Sequence, residues 1–201
     1  MPLPLLLASA SPRRRELLER VGVPIEIQAA NIDESTRDGE LPEVYVARLA
    51  RAKATSIPRP GDRWVLAADT TVALGGTILG KAESPQEAAE MLRGLSGRTH
   101  RVWTAFALLG ERDGRFCLRE GLVASDVVMI ELDTSIVADY IASGEWRGKA
   151  GSYAIQGMGA ALVRAVHGSV TNVAGLPLAE VLAALREVGA PLPRFIAGNP
   201  A

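Results

Sequence analysis

A chain of 201 residues with 48% hydrophobic and 22% charged side chains is long enough for one substantial core, or for two small lobes around a shared cleft. Its formal net charge of -1 offers no bulk field for DNA, RNA or an acidic membrane. The single cysteine, Cys117, excludes an intrachain disulfide and a thiolate metal cluster; the apolar run PLPLLLASA is too short to span a bilayer and has no basic segment before it, which points to a cytoplasmic protein.

Leu5 to Ala8 reads as a short buried strand. Ser11 is placed to cap the next helix, with Pro12 at its first position, where a missing N–H costs nothing. Leu17, Leu18 and Val21 supply an apolar stripe, and Gly22 a stop. A second strand falls in PIEIQAA, before the polar loop NIDESTRDGE. Helical periodicity then runs from Pro42 to Ser56, with Val46, Leu49 and Ala50 on its inward side. RPGD turns the chain into WVLAAD, an apolar run suited to a central, doubly covered strand that ends at Asp69.

Gly75–Gly76 marks the next turn. Ser84, Pro85 and Glu87 open a helix with a capping box, and Ala88, Met91, Leu92 and Leu95 share its buried face. Strand patterns cover 101–109 and 121–130, joined through the ERDG turn and a strand around Cys117. Asp133 or Thr134 caps a helix that stops at Gly144; SYAIQG and ALVRAVHG read as strands, and AEVLAALREVG as the last helix. Residues 190–201 hold too much proline and glycine to be regular. This order predicts an α/β fold with a long, twisted, mixed sheet flanked by helices, and no long linker divides residues 1–201 into separate domains.

Several polar motifs follow strand ends, where an open α/β sheet builds its binding crevice. In ASASPRRRELL, unpaired N–H groups at a helix start favour an anion, and Ser9, Ser11, Arg13 and Arg14 add donors; a capped helix with solvated arginines explains the same residues. Three adjacent arginines cannot all point one way on a helix. Asp69, closing an apolar strand, suits a metal ligand, a general base or a cap for the next turn. Asp33 and Glu34 offer further oxygen ligands, or only a solvated acidic loop. Of 22 basic residues only Lys53, Lys81 and Lys149 are lysines, each able to neutralise phosphate charge or to sit on the surface. Lys149 lies in the glycine-rich GEWRGKAGSYAIQG, where Gln156 can read a base edge or hold a turn.

Other chemistries lack their signatures. His100 and His167 have no HExxH spacing, and GxSxG, GxxxxGK[ST] and GxGxxG are all missing. Trp64, Trp103 and Trp146 are scattered, which suits packing better than a stacking platform for nucleic acid.

Taken in order, SASPRR, IDE, RLARAKA, AADT, LSGRTHRVWT, GKAGSYAIQG and NVAGLPL resemble the Maf family of nucleoside triphosphate pyrophosphatases, over about Leu5 to Leu185. The resemblance implies a mixed α/β fold of two lobes around a nucleotide-binding cleft, a homodimer, and metal-assisted cleavage of a nucleoside triphosphate to monophosphate and pyrophosphate with Mg2+ or Mn2+. It makes Asp69 the proton acceptor for water attacking the α-phosphorus, sets Ser9, Arg13, Arg14, Lys53 and Lys81 around the phosphates, and gives Glu34 and Asp69 to the metal. Arg13, Thr70 and Gln156 match the branch acting on dTTP and UTP, whereas a 7-methyl-GTP branch carries tryptophan, glutamine and glutamate there. The chain departs from the family's GKP with GKA at Lys81, which predicts a looser loop. Hydrolysis of modified nucleotides and a non-catalytic nucleotide-binding role in cell division are the alternatives.

Overall fold

The structure, a computed structural model, describes residues 3–58, 63–112, 114–190 and 192. Among these residues seven strands form one sheet: β1 (Leu5–Leu7), β2 (Ile25–Ile27), β3 (Val65–Leu74), β4 (Thr77–Leu79), β5 (Thr99–Arg112), β6 (Arg115–Met129) and β7 (Val163–His167). The order is β2-β1-β3-β5-β6-β7, with β4 hairpinned onto the far end of β3. β1 pairs in parallel with both β2 and β3, and the remaining pairs are antiparallel, so the sheet is mixed as predicted.

Among the described residues six α-helices cover it: α1 (Pro12–Arg20), α2 (Pro42–Ser56), α3 (Pro85–Leu95), α4 (Thr134–Ser143), α5 (Val170–Ala174) and α6 (Leu178–Val188). A 3-10 helix spans Gly157–Leu162. The alternation of β1 and β3 sorts the helices between the two faces. Leu5, Leu7, Leu66 and Ala68 pack with Leu17 and Leu18 of α1 and Val181 and Leu185 of α6. Leu6, Val65 and Ala67 point the other way, onto Val46, Ala50 and Ala54 of α2. A third cluster, Val72, Val102 and Val127 with Leu92 and Leu95 of α3 and Val137 and Tyr140 of α4, fills the other end of the sheet.

β3 holds the functional geometry. Along one side it pairs with β5 continuously from Val65 to Ala73. Along the other it pairs with β1 only at Val65 and Leu66, and with β4 only from Val72. Between these, on the β1 and β4 side, no strand among the described residues pairs with Ala67–Thr71. Leu66 C=O accepts from Ala8 N–H on that side, so the two-residue period turns the backbone polar groups of Ala68 and Thr70 toward the gap. Side chains from both faces, Asp69 from one and Thr70 from the other, reach the same opening.

Several expectations need correcting. β3 does not end at Asp69 but continues five residues further, because Thr70, Thr71 and Val72 are β-branched and stay paired with β5. SYAIQG is not a strand; it leads as turn and bend into the 3-10 helix. Ser11 sits at the N-cap of α1 without a side-chain cap, its own N–H donating instead to Ser9 Oγ at 3.2 Å. In α3 Ser84 caps Glu87 N–H at 3.1 Å, but Glu87 reaches back to the N–H of Glu83 rather than of Ser84. Met91 is only partly buried. The RPGD turn and nearly all of the 190–201 tail lie outside the described residues. No helix among the described residues is long and apolar enough to cross a membrane.

Candidate active site

The gap beside β3 opens into a cleft of about 350 Å3. Ser9, Ser11, Arg13, Arg14, Glu34, Lys53, Asp69, Thr70, Lys81 and Lys149 all line it. Gln156 does not; its neighbours Ala154 and Ile155 do. Asp33 also stays outside, its carboxylate folded back onto Ser35 N–H and Oγ at 2.9 Å each.

The inward stripe of α2 that contains Leu49 and Ala50 carries Lys53 to the sheet, where it is 6% exposed. Its Nζ donates to Asp69 Oδ1 at 2.6 Å and pairs with Glu34 Oε1 at 2.6 Å, one ammonium between two carboxylates. Glu34 reaches it from a loop whose backbone is tied to α2 by Tyr45 Oη, which donates to Glu34 C=O at 2.9 Å. Glu34 Oε2 meets Lys81 Nζ at 3.3 Å. Burial alone would raise the Glu34 carboxyl, but the hydrogen bond and charge of Lys53, then those of Lys81, hold it below its ordinary value. Tyr45 is pushed up to about 12, by burial first and then by the charges of Asp69 and Glu34.

The GKA loop is not loose. Lys81 bridges Ala150, and Gly151 N–H donates to the carbonyls of Leu79 and Gly80 at 3.2 and 3.1 Å. Gly151 has a φ of +66°, and a Cβ there would press on Val72.

The arginines divide. Arg15 stays on the helix surface with Glu19. Arg14 is buried and uses all three guanidinium nitrogens: Nε to Gly175 C=O at 2.8 Å, Nη1 to Ser9 Oγ at 3.1 Å and Nη2 to Thr70 Oγ1 at 3.1 Å. Arg13 is half-buried, its Nε donating to Ala174 C=O at 3.3 Å. Desolvation is the leading cause that lowers both guanidinium pKa values, but arginine remains charged in such settings. Lys149 is lowered as well, by burial and then by Arg13, with Glu145 opposing.

Sequence reasoning passed over the support behind this wall. Thr104 Oγ1 lies 2.9 Å from Thr70 Oγ1 and donates to Asn172 C=O at 3.0 Å, a polar seam between the two clusters that share this sheet face. Period-two alternation along β5 was the available signal, since it sets Thr104 among inward Val102 and Phe106. Tyr153, in the cleft wall, has its Oη 2.7 Å from Nε2 of the buried His100.

His100 predicts a pH effect. Burial, only partly opposed by the charge of Asp126, lowers its pKa to about 4. Tyr153 is held well above its ordinary value by burial and so remains neutral beside it. An unfolded histidine titrates near ~6.5, so the stability contributed by the neutral ring is complete above that pH and is lost as pH falls toward 4. The loss approaches about 3 kcal/mol. Denaturant unfolding between pH 7.5 and 4 should show His100→Gln losing less stability than the parent chain; parallel curves would remove His100 as the cause.

Five cationic side chains (Arg13, Arg14, Lys53, Lys81 and Lys149) and two carboxylates (Glu34 and Asp69) converge on one cleft in a chain of net charge -1. Such an excess defines a pocket for a small polyanion. Glu34 and Asp69 are hard oxygen donors that fit a Mg2+-type cation sharing its shell with substrate phosphates. Among the described residues no group of three or more His, Cys, Asp or Glu side chains could hold a metal ion.

The chain belongs to the Maf family, whose profile, described as Maf-like protein, matches residues 4–188. The dTTP/UTP pyrophosphatase of Myxococcus xanthus (strain DK1622) is 50% identical over 191 residues, covering 94% of each chain. That of Anaeromyxobacter dehalogenans (strain 2CP-1) is 49% identical over 189 residues, covering 94% of this chain and 96% of its own. Among solved structures, the Staphylococcus aureus Ham1 protein matches with a TM-score of 0.39 and 15% identity over 63% of this chain and 72% of its own.

Proposed function

We propose that this chain hydrolyses nucleoside triphosphates, with dTTP and UTP as its preferred substrates, to the monophosphate and pyrophosphate. The observation that carries the reading is the Lys53 ammonium held between Asp69 and Glu34 in a cleft with a cationic excess. The names of the two relatives support the substrate class.

Water attacks the α-phosphorus, and the bond from that phosphorus to the oxygen bridging the α- and β-phosphates breaks. Lys53 occupies Oδ1 of Asp69, and Oδ2 has no partner among the described residues, so Oδ2 accepts the proton of the attacking water. Glu34, engaged by both lysines, keeps its charge. Arg13, Lys81 and Lys149 offset the charge that builds on the departing pyrophosphate, while Ser9 and Thr70 are held in the wall by Arg14. A divalent cation, Mg2+ or Mn2+, held by Glu34 and Asp69 would withdraw charge from the phosphate oxygens when bound. The family resemblance supports Arg13, Thr70 and Gln156 as the residues that choose the pyrimidine; Arg13 and Thr70 line the cleft, and Gln156 lies just beyond its wall, next to Ile155. The family resemblance supports a cytoplasmic homodimer, and light scattering reads its mass.

A panel of dTTP, UTP, purine triphosphates and 7-methyl-GTP, with Mg2+ or Mn2+ added and the products separated, tests the reading. The expected product is pyrophosphate, fastest from dTTP and UTP. Release of orthophosphate alone rejects the α-phosphorus as the point of attack. Turnover of 7-methyl-GTP without dTTP or UTP rejects the pyrimidine assignment.

A further inference from the structure

The segment that carries Ile155 into the cleft wall and Gln156 just beyond it belongs to no regular element until the 3-10 helix begins at Gly157. It is held from the side by Tyr140 of α4 and by Glu145, just past the end of that helix. α4 ends at Gly144 in the left-handed conformation, and the next residue, Glu145, folds its carboxylate back under the loop. Glu145 Oε1 accepts from Met158 N–H at 3.0 Å, and Oε2 accepts from Gly159 N–H at 2.8 Å and from Tyr140 Oη at 2.9 Å. Tyr140 Oη in turn accepts from Ala154 N–H at 3.2 Å. The segment is therefore pinned at Ala154 and again at Met158–Gly159, with Ile155 and Gln156 suspended between.

The fit admits no side chains in between. Gly157 has a φ of +77° and a Cβ there would overlap Glu145 Oε1, while a Cβ at Gly159 would overlap Ala154 C=O. All three groups around the carboxylate are donors, so an acceptor-only side chain is required. Tyr140 stays protonated to serve as one of them: burial, then the hydrogen bond to Glu145, hold it well above its ordinary value.

We propose that Glu145, acting with Tyr140, is a positioning residue that sets the Ile155–Gln156 segment against the cleft and thereby governs the choice among nucleobases. The inference rests on the reading above of a pyrophosphatase acting on pyrimidine nucleoside triphosphates. Neither side chain lines the cleft, and the polar atoms of both are engaged by each other and by the backbone of the segment, so each acts through that segment. Glu145→Gln keeps the shape but turns an amide N–H2 toward donors, which displaces the loop without opening a cavity.

The test measures kcat and KM for dTTP, UTP, dATP and GTP with the full chain and with Glu145→Gln, Tyr140→Phe, Gln156→Ala and the Glu145→Gln/Gln156→Ala double variant. For Glu145→Gln the KM for dTTP and UTP should rise about tenfold, as loss of a charge-assisted hydrogen bond allows, while kcat changes little. The preference for pyrimidines should fall, Tyr140→Phe should move it the same way by less, and Glu145→Gln should add nothing once Gln156 is alanine. An unchanged preference, an equal fall in kcat for every nucleotide, or the same loss of preference in both Gln156 backgrounds would overturn the proposal. If circular dichroism shows Glu145→Gln unfolded, Tyr140→Phe decides by the same criteria. A parent chain inactive on dTTP and UTP refutes the pyrimidine reading instead, and base preference among the nucleotides it does cleave still decides the role of Glu145.

Discussion

Asp69→Asn is expected to lower kcat by about a hundred- to ten-thousand-fold, the range a positioned general base contributes, while the chain stays folded. Asparagine has the shape of aspartate, and its carbonyl oxygen can still accept from Lys53. Lys53 also keeps its ion pair with Glu34 at 2.6 Å, so the substitution does not strand a buried ammonium. What disappears is the basic oxygen facing the cleft. Pyrophosphate release reads the first effect and thermal unfolding the second. Parent-like turnover by a folded Asp69→Asn chain would take the proton-accepting role away from this residue.

Arg14→Ala has its largest effect on stability. The guanidinium ties α1 to β3 and to the turn after α5, through partners as far as 161 residues apart. Truncation deprives Gly175 C=O, Ser9 and Thr70 of a charged donor and leaves a hole, at a net cost of about 2–4 kcal/mol, since the three bonds share one group and do not add. The melting temperature should fall by about 5–15 °C, and kcat/KM with it, because Ser9 and Thr70 lose their register. Arg14→Lys should recover only part of the loss: an ammonium is a point donor and cannot span three divergent acceptors. Arg13→Ala is the contrast, weakening substrate binding with little change in melting. Equal melting of Arg14→Ala and the parent chain would show that the clamp contributes nothing.

The two arginines also show how far sequence alone reaches. Helix geometry establishes only that three adjacent arginines cannot all point one way, and Arg15 is the one that lies on the surface, with Glu19. Local spacing could not distinguish a buried structural Arg14 from a cleft-facing Arg13, since the acceptors that decide are Thr70, Ala174 and Gly175. α2 was legible to both ends, because Pro42 opens it and its apolar stripe carries Lys53 inward on the same periodicity. The end of β3 was misplaced because a carboxylate after an apolar run looks like a terminus; pairing with β5 overrides that local signal. SYAIQG alternates like a strand, yet Tyr140 holds its Ala154 N–H and Glu145 holds the N–H groups of Met158 and Gly159 just beyond it, which no local pattern announces. α5, at five residues, is shorter than the window in which periodicity can be read.

The interrupted pairing of β3 has a consequence for solubility. An unpaired strand edge with free backbone N–H and C=O groups is a template on which another chain can add, and proteins blunt such edges with charge. Here the opening at Ala67–Thr71 is ringed by Lys53, Lys81, Glu34 and Asp69, the same groups proposed to process the substrate. The charges that attract a phosphate chain therefore also repel an apolar strand. Variants that strip the cleft of several charges at once lose chemistry and protection from self-association together, so precipitation of a multiply neutralised chain reflects a bared strand edge as much as a failure to fold.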